Sequence, residues 1–195
     1  LENPDEGYRS RFDKSTEGAE VGYYEVELQD YKIKAELTAT ERVGYQRFTF
    51  PKTNEANLII DIGHKQGESG DVTQAFAQIV NGTEVEGYIE TYPEYVKFCD
   101  PGKKVKMYFI TQLSKKPNGH GSFVDTVQQV SESKTEGINN GLYLTFSMEQ
   151  DEVLEIQTGL SYTSIENARL NLKSESKGKS FDRVRKESKE IWNNK

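Results

Sequence analysis

Few residues in this chain could do chemistry on their own. It has two histidines, one cysteine and 32 acidic residues among 195. Zinc needs three or four convergent ligands, and His64 and His120 lie far apart with no HExxH spacing and no cysteine companions. His64 follows Asp61-Ile62-Gly63 and reads as a turn residue at a strand end. No GxSxG, no GxGxxG after a strand and no Walker loop occurs, so nucleophilic acyl transfer and nucleotide binding lack their usual signatures. A glycosidase needs two carboxylates flanking the scissile bond. The pairs Glu25/Glu27 and Glu84/Glu86 alternate with apolar residues, which assigns them to solvent faces of strands, and no proton donor stands out.

The aromatic residues offer binding rather than bond-breaking. Tyr92-Pro93-Glu94-Tyr95 is a proline-containing segment that can leave a sheet. Exposed tyrosines beside a carboxylate suit a sugar, whose apolar face stacks on a ring while its hydroxyls take polar partners. Tyr92 and Tyr95 are therefore the candidate substrate-binding residues, with packing at a strand end as the plain alternative. Asp100-Pro101-Gly102-Lys103-Lys104 reads as a hairpin tip with solvated lysines. Asn81-Gly82-Thr83 fits the glycosylation sequon but is better explained as a turn.

The elements that must position these residues are strands. Apolar residues alternate with polar ones in Tyr24–Leu28, in Ile33, Ala35, Leu37 and Ala39, and in Gly44–Phe50 up to Pro51. Leu58-Ile59-Ile60-Asp61-Ile62 is a continuous apolar run, which predicts a strand covered on both faces. Further strands are expected near Thr73–Val80, Thr83–Thr91, Val105–Leu113, Phe123–Val127, Leu142–Phe146 and Val153–Ser161, with Asn-Gly turns at Asn81, Asn118 and Asn140. Roughly ten short strands without βαβ alternation predict an all-β antiparallel sandwich. Helix is expected late: a short one capped by Ser164 and ending at Leu172, a polar loop over Lys173–Lys179, and a second helix capped by Ser180 with Phe181, Val184, Ser188 and Ile191 on one face.

Composition narrows the function. Net charge is -7 and mean hydropathy is -0.79, and an acidic chain lacks the basic face that nucleic acid requires. Aromatics at 11% indicate a folded domain rather than a disordered one. Cys99 has no partner for a disulfide, and no apolar run approaches the ~20 residues of a membrane span. The chain opens on Leu1-Glu2-Asn3-Pro4 without a methionine and stops within a helical pattern at Ile191–Lys195; both ends read as those of a fragment.

From Lys34 to Pro51 the sequence, KAELTATERVGYQRFTFP, resembles glycoside hydrolase family 92, the calcium-dependent α-mannosidases. Gly22-Tyr23-Tyr24-Glu25-Val26 before it, Leu58–His64, Val85–Tyr88, Met107-Tyr108-Phe109 and Gly159–Ser164 after it, and finally Phe181 with Trp192, fall in a similar order, so the likeness runs from about Tyr8 to Trp192. The resemblance implies a large supersandwich of the galactose-mutarotase type over residues 1–179. Residues 180–195 would begin a linker helix toward an (α/α)6 catalytic domain. It also implies that the catalytic carboxylates and the calcium of the parent enzyme belong to that other domain, so that no cofactor and no catalytic residue is assigned to this chain. Arg42, Arg47 and Trp192 would face the catalytic domain, with ordinary surface pairing as the alternative for the arginines. Many members carry a Gly-Trp pair near the position where this chain has Thr91–Tyr95, which leaves Tyr92 or Tyr95 as its replacement. The implied partners are that domain and mannose-containing, especially α-1,2-linked, glycans, in a periplasmic or secreted bacterial setting. Uncovered apolar surface on the last helix is expected to favour self-association. Two rivals remain, an autonomous carbohydrate-binding module and a structural sandwich segment. The module predicts measurable mannose affinity for the isolated chain, whereas an auxiliary domain predicts essentially none.

Overall fold

A computed structural model describes residues 9–65 and 70–194; Leu1–Pro4 and Tyr8, where the resemblance begins, lie outside the described residues. In chain order the strands are β1 (Gly18–Glu20), β2 (Tyr23–Leu28), β3 (Ile33–Ala39), β4 (Val43–Phe50), β5 (Thr53–Asp61), β6 (Asp71–Ile79) and β7 (Glu84–Tyr92). After the short helix α1 (Glu94–Cys99) come β8 (Val105–Leu113), β9 (Gly119–Val124), β10 (Val127–Val130), β11 (Lys134–Gly137), β12 (Asn140–Met148) and β13 (Glu152–Ser161). Helices α2 (Ile165–Ser176) and α3 (Phe181–Asn193) complete the chain.

The strands form two antiparallel sheets. A nine-stranded sheet runs β1-β2-β3-β4-β13-β8-β7-β6-β11, and a four-stranded sheet runs β10-β9-β12-β5. The period-two alternation sends one side of each strand into the space between the sheets, where Phe50, Phe109, Leu142, Leu144, Phe146 and Leu154 lie in a continuous core. A second core lies on the other side of the large sheet. There α2 and α3 supply Ala168, Leu172, Phe181 and Val184, which pack on Tyr23, Val43, Tyr45 and Ile110. Adjacent residues Phe109 and Ile110 of β8 thus serve different cores. Gly159 lets α2 come close: a Cβ there would stand 2.6 Å from the Ala168 carbonyl oxygen and 2.8 Å from Leu172 Cβ.

The architecture is the expected sandwich with short C-terminal helices, and several local expectations change. β5 is an edge strand rather than one covered on both faces, and Ile59 is 39% exposed. The expected strand Phe123–Val127 is a hairpin, turning at Asp125-Thr126 with Asp125 at φ 54° and Val124 paired to Val127. Of the Asn-Gly pairs, Asn81-Gly82 sits at a hairpin tip, whereas Gly119 and Asn140 begin strands and Asn140 is fully buried, its amide oxygen accepting from the Thr135 hydroxyl and the Glu136 and Gly137 N–H groups. Helix α2 runs on to Ser176 through the expected loop. Its polar end has partners: Glu175 accepts from Thr40 and Arg42, and the Ser176 hydroxyl donates to the Leu172 carbonyl.

Candidate functional site

The two outer faces of the sandwich are finished differently, and each gathers polar and aromatic side chains. On the nine-stranded sheet α2 and α3 cover the outer face over β3, β4, β13 and β8, while the ring row Phe76, Tyr88 and Tyr108 on β6–β8 stays partly exposed. Ser164 and Ser180 cap these helices by accepting from the backbone N–H groups of Asn167 and Arg183. Helix α3 is held by a charged cluster seated on β2–β4. Arg47 donates from Nε and Nη2 to the two Glu36 oxygens at 2.9 and 2.8 Å and from Nη1 to Asp182 at 3.0 Å, while its guanidinium stands 4.2 Å from the Phe181 ring centre. The Tyr23 hydroxyl donates to Glu36 at 2.7 Å, and Arg185 lies 3.4 Å from the Tyr23 ring centre with Glu20 as its carboxylate partner.

The electrostatics follow from this geometry. Hydrogen bonds from Arg47 hold the Glu36 carboxyl down at about 2, against the opposing effect of burial. Burial first, and then the neighbouring Glu36 and Glu25, push the Tyr23 hydroxyl up. Glu36 and Thr38 are only 5% and 7% exposed, whereas Leu37 between them is 38% exposed. From Glu36 to Thr38 the polar side of β3 is therefore the covered one, the reverse of what alternation suggests, while Ala35 on the apolar side stays buried. Glu84 and Glu86 repeat the inversion: instead of facing solvent, both carboxylates are clamped by Arg169 of α2.

The outer face of the four-stranded sheet has no helix over it among the described residues. Each of its two inner strands carries a glycine and an aromatic residue two positions apart, Gly121 and Phe123 on β9, Gly141 and Tyr143 on β12. The register sets Phe123 opposite Gly141 and Tyr143 opposite Gly121. Each ring reaches across the facing glycine: a Cβ on Gly141 would meet Phe123 Cζ at 2.3 Å, and one on Gly121 would meet Tyr143 Cζ at 2.5 Å. Asp61 and Ile59 of β5 flank this pair on one side, and Gln128 and Val130 of β10 flank it on the other. A groove of about 520 Å³ opens over the rings, with His64, Asp125 and Asn139 at its end. Asp61 accepts from the Gly63 N–H at 3.1 Å, and the Asn139 amide donates to Asp125 at 2.9 Å. Neither lysine nor arginine lines the groove among the described residues.

The residues singled out from the sequence lie elsewhere. Tyr92 ends β7; its hydroxyl accepts from the Gly102 N–H at 3.0 Å and the Lys97 ammonium stands 5.3 Å from its ring centre. Tyr95 is on α1 and is 64% exposed. Lys104, expected to be only solvated, lies just before β8 and pairs with Glu90 of β7 at 2.9 Å. Arg42 pairs with Glu175 at 2.6 Å, and together with Trp192 it borders a cleft of about 390 Å³ between the β3–β4 turn and the two helices. Among the described residues no group of three His, Cys, Asp or Glu side chains is placed to hold a metal ion. The glycine–aromatic pairs were missed. Their signal was present as Gly-x-Phe and Gly-x-Tyr in two successive strand regions.

Comparison with known proteins places this geometry. Residues 1–161 match the glycosyl hydrolase family 92 N-terminal domain. The fold superposes on a family GH92 α-mannosidase from Bacteroides thetaiotaomicron in complex with mannoimidazole, with a TM-score of 0.87 and 29% identity, over 99% of this chain and 25% of that one. It also shares its fold with a family GH92 inverting mannosidase from Bacteroides thetaiotaomicron VPI-5482, at TM-score 0.79 and 20% identity over 95% of this chain and 23% of the other. The GH92 family glycosyl hydrolase ccman5 gives TM-score 0.81 and 23% identity, over 95% and 25% of the two chains. The chain thus spans about a quarter of the length of these structures. No curated protein sequence matches it.

Proposed function

The chain belongs to glycosyl hydrolase family 92 by way of its N-terminal domain, and from that premise we propose that it is the non-catalytic sandwich domain of a secreted α-mannosidase. In this reading it shapes one wall of the substrate pocket and packs on an (α/α)6 catalytic domain that hydrolyses α-mannosides, α-1,2-linked ones in particular. The observation that carries it is the superposition over 99% of this chain on a quarter of an α-mannosidase. The helix layer supports it physically. α3 is locked to the sheet along Phe181, Val184 and Ser188, while Ile191 and Trp192 remain 55% and 63% exposed at its far end, where a following domain would sit. Exposed apolar side chains at a helix end suit a covering partner, and the partner assigned here is the catalytic domain. Until then it also favours self-association.

Arg42 and Trp192, at the cleft beside α3, are the residues assigned to the interdomain contact; Arg47 contributes by fixing the helix. Tyr95 is the better placed of the two tyrosines for substrate, because the ring and hydroxyl of Tyr92 are already engaged. The periplasmic or secreted setting is carried by the family resemblance, and the single cysteine is neutral on it. The test is mannose release from α-1,2-mannobiose by the 195-residue chain and by the longer gene product that contains it. The expected result is no release by the first and release by the second; an inert longer product would end the mannosidase reading.

A further inference from the structure

We propose that the Phe123–Tyr143 platform on the open face of the four-stranded sheet binds a neutral pyranose glycan. A glycine inside a strand weakens it, since it brings no side chain to pack and more backbone freedom to lose. Here two glycines face two aromatic residues reciprocally across one strand pair, Gly141 with Phe123 and Gly121 with Tyr143. Side chains of a strand ordinarily stand up from the sheet. With no Cβ opposite, each ring instead folds down across its neighbour's backbone. Two rings laid down side by side give a broad, flat apolar floor, and both remain partly exposed.

One ring covering one glycine would be a stabilising device and nothing more. The reciprocal pair goes further, because hydrogen-bonding groups sit along the rim. Asp61 and Gln128 stand at opposite sides of the Phe123–Gly141 row, in register with it. Asp125 and Asn139 stand at the end of the groove. A pyranose has the matching chemistry: one face of C–H groups to lie on the rings, and equatorial hydroxyls that donate to carboxylates and accept from amides. The rim carboxylates of Asp61 and Asp125 disfavour an anionic ligand. The volume of about 520 Å³ falls within the range of small-ligand sites. The rings, the rim and the groove all belong to this chain, so binding needs no second domain. This revises the expectation that the isolated chain has essentially no affinity for sugar.

The choice of mannose as probe rests on the proposed function, so the test uses two sugars. The 195-residue chain is titrated with α-1,2-mannobiose and, separately, with cellobiose, to about 50 mM because a shallow groove of this kind binds in the millimolar range. Amide NMR shifts are followed at each step. The expected result is saturable shifts confined to β5, β9, β10 and β12, weakened about tenfold by Tyr143→Leu, which keeps an apolar side chain over Gly121 but removes the ring. Should Tyr143→Leu fail to fold, Phe123→Leu tests the same floor, and the map of shifts on the unaltered chain stands without either. Shifts with cellobiose alone keep the platform and count against the mannoside reading. No shifts with either sugar, shifts that map elsewhere, or shifts that persist unchanged in the variants would overturn the proposal.

Discussion

The two sheets share one interior but treat their outer faces in opposite ways. The nine-stranded sheet buries the middle of its outer face under α2 and α3, and it does so with polar residues as much as apolar ones: Glu36, Thr38, Arg47, Glu84 and Glu86 all lie beneath or beside the helices. The four-stranded sheet leaves its outer face open and floors it with rings laid over glycines. The difference teaches that burial of a strand's second face is decided by what the chain does next, not by the strand's own pattern. One face is partly covered by the chain's own helices, and the other has no helix over it among the described residues.

The comparison can be broken at several points. The largest effect is expected from Phe181→Ala, which empties the helix–sheet core at a residue 2% exposed; urea unfolding should show a loss of about 3–5 kcal/mol. The matching change on the open face, Ile59→Ala, removes a side chain that is 39% exposed and should cost well under half of that. Similar costs for the two would mean that the faces do not differ.

Arg47→Met comes next. It strips Glu36 of its main partner in a site where Glu36 is 5% exposed, and a loss of about 2–3 kcal/mol is expected. The pH dependence follows from the same pair. The Glu36 carboxyl titrates at about 2 in the folded chain against an ordinary 4.5, so the unfolded chain takes up its proton first. Its contribution is therefore complete above about pH 4.5 and is lost as the pH falls toward 2. Urea midpoints measured down that range should fall, and Glu36→Gln should flatten the fall.

Capping and surface pairing give the smallest effects. Ser180→Ala removes the cap of α3 and should cost about 1 kcal/mol. Arg42→Ala breaks a pair whose arginine is 55% exposed, and less than about 1 kcal/mol is expected in the chain alone. In a longer product carrying the proposed catalytic domain, a clearly larger loss of thermal stability would place Arg42 at the proposed contact.

Much of the fold was legible because strands with a strict period of two leave few alternatives. β3, β4, β8, β12 and β13 fall where the alternation predicts, and Phe181, Val184 and Ser188 bury the face that their spacing marks. What alternation could not supply is the identity of the covered face. Glu36 and Thr38 look solvated until α3 is laid over them, and Glu84 and Glu86 look solvated until Arg169 reaches them. The end of α2 was hidden for a related reason, since Glu175 reads as loop-like until Thr40 and Arg42 are placed beside it. The open-face site was hidden by register. Gly121, Phe123, Gly141 and Tyr143 are visible as residues, but their pairing depends on β9 ending before Asp125. That turn carries neither glycine nor proline, and a left-handed aspartate is a weak signal.

Native-state hydrogen exchange tests most directly whether the helix layer is a built part of the sandwich. The amides of Ala168, Leu172, Val184 and Ser188 should exchange as slowly as those of Leu142 and Leu144 in the central core, because all would open only with global unfolding. Fast exchange along α3 while the β12 amides stay protected would show a helix merely resting on the sheet, and would contradict the account.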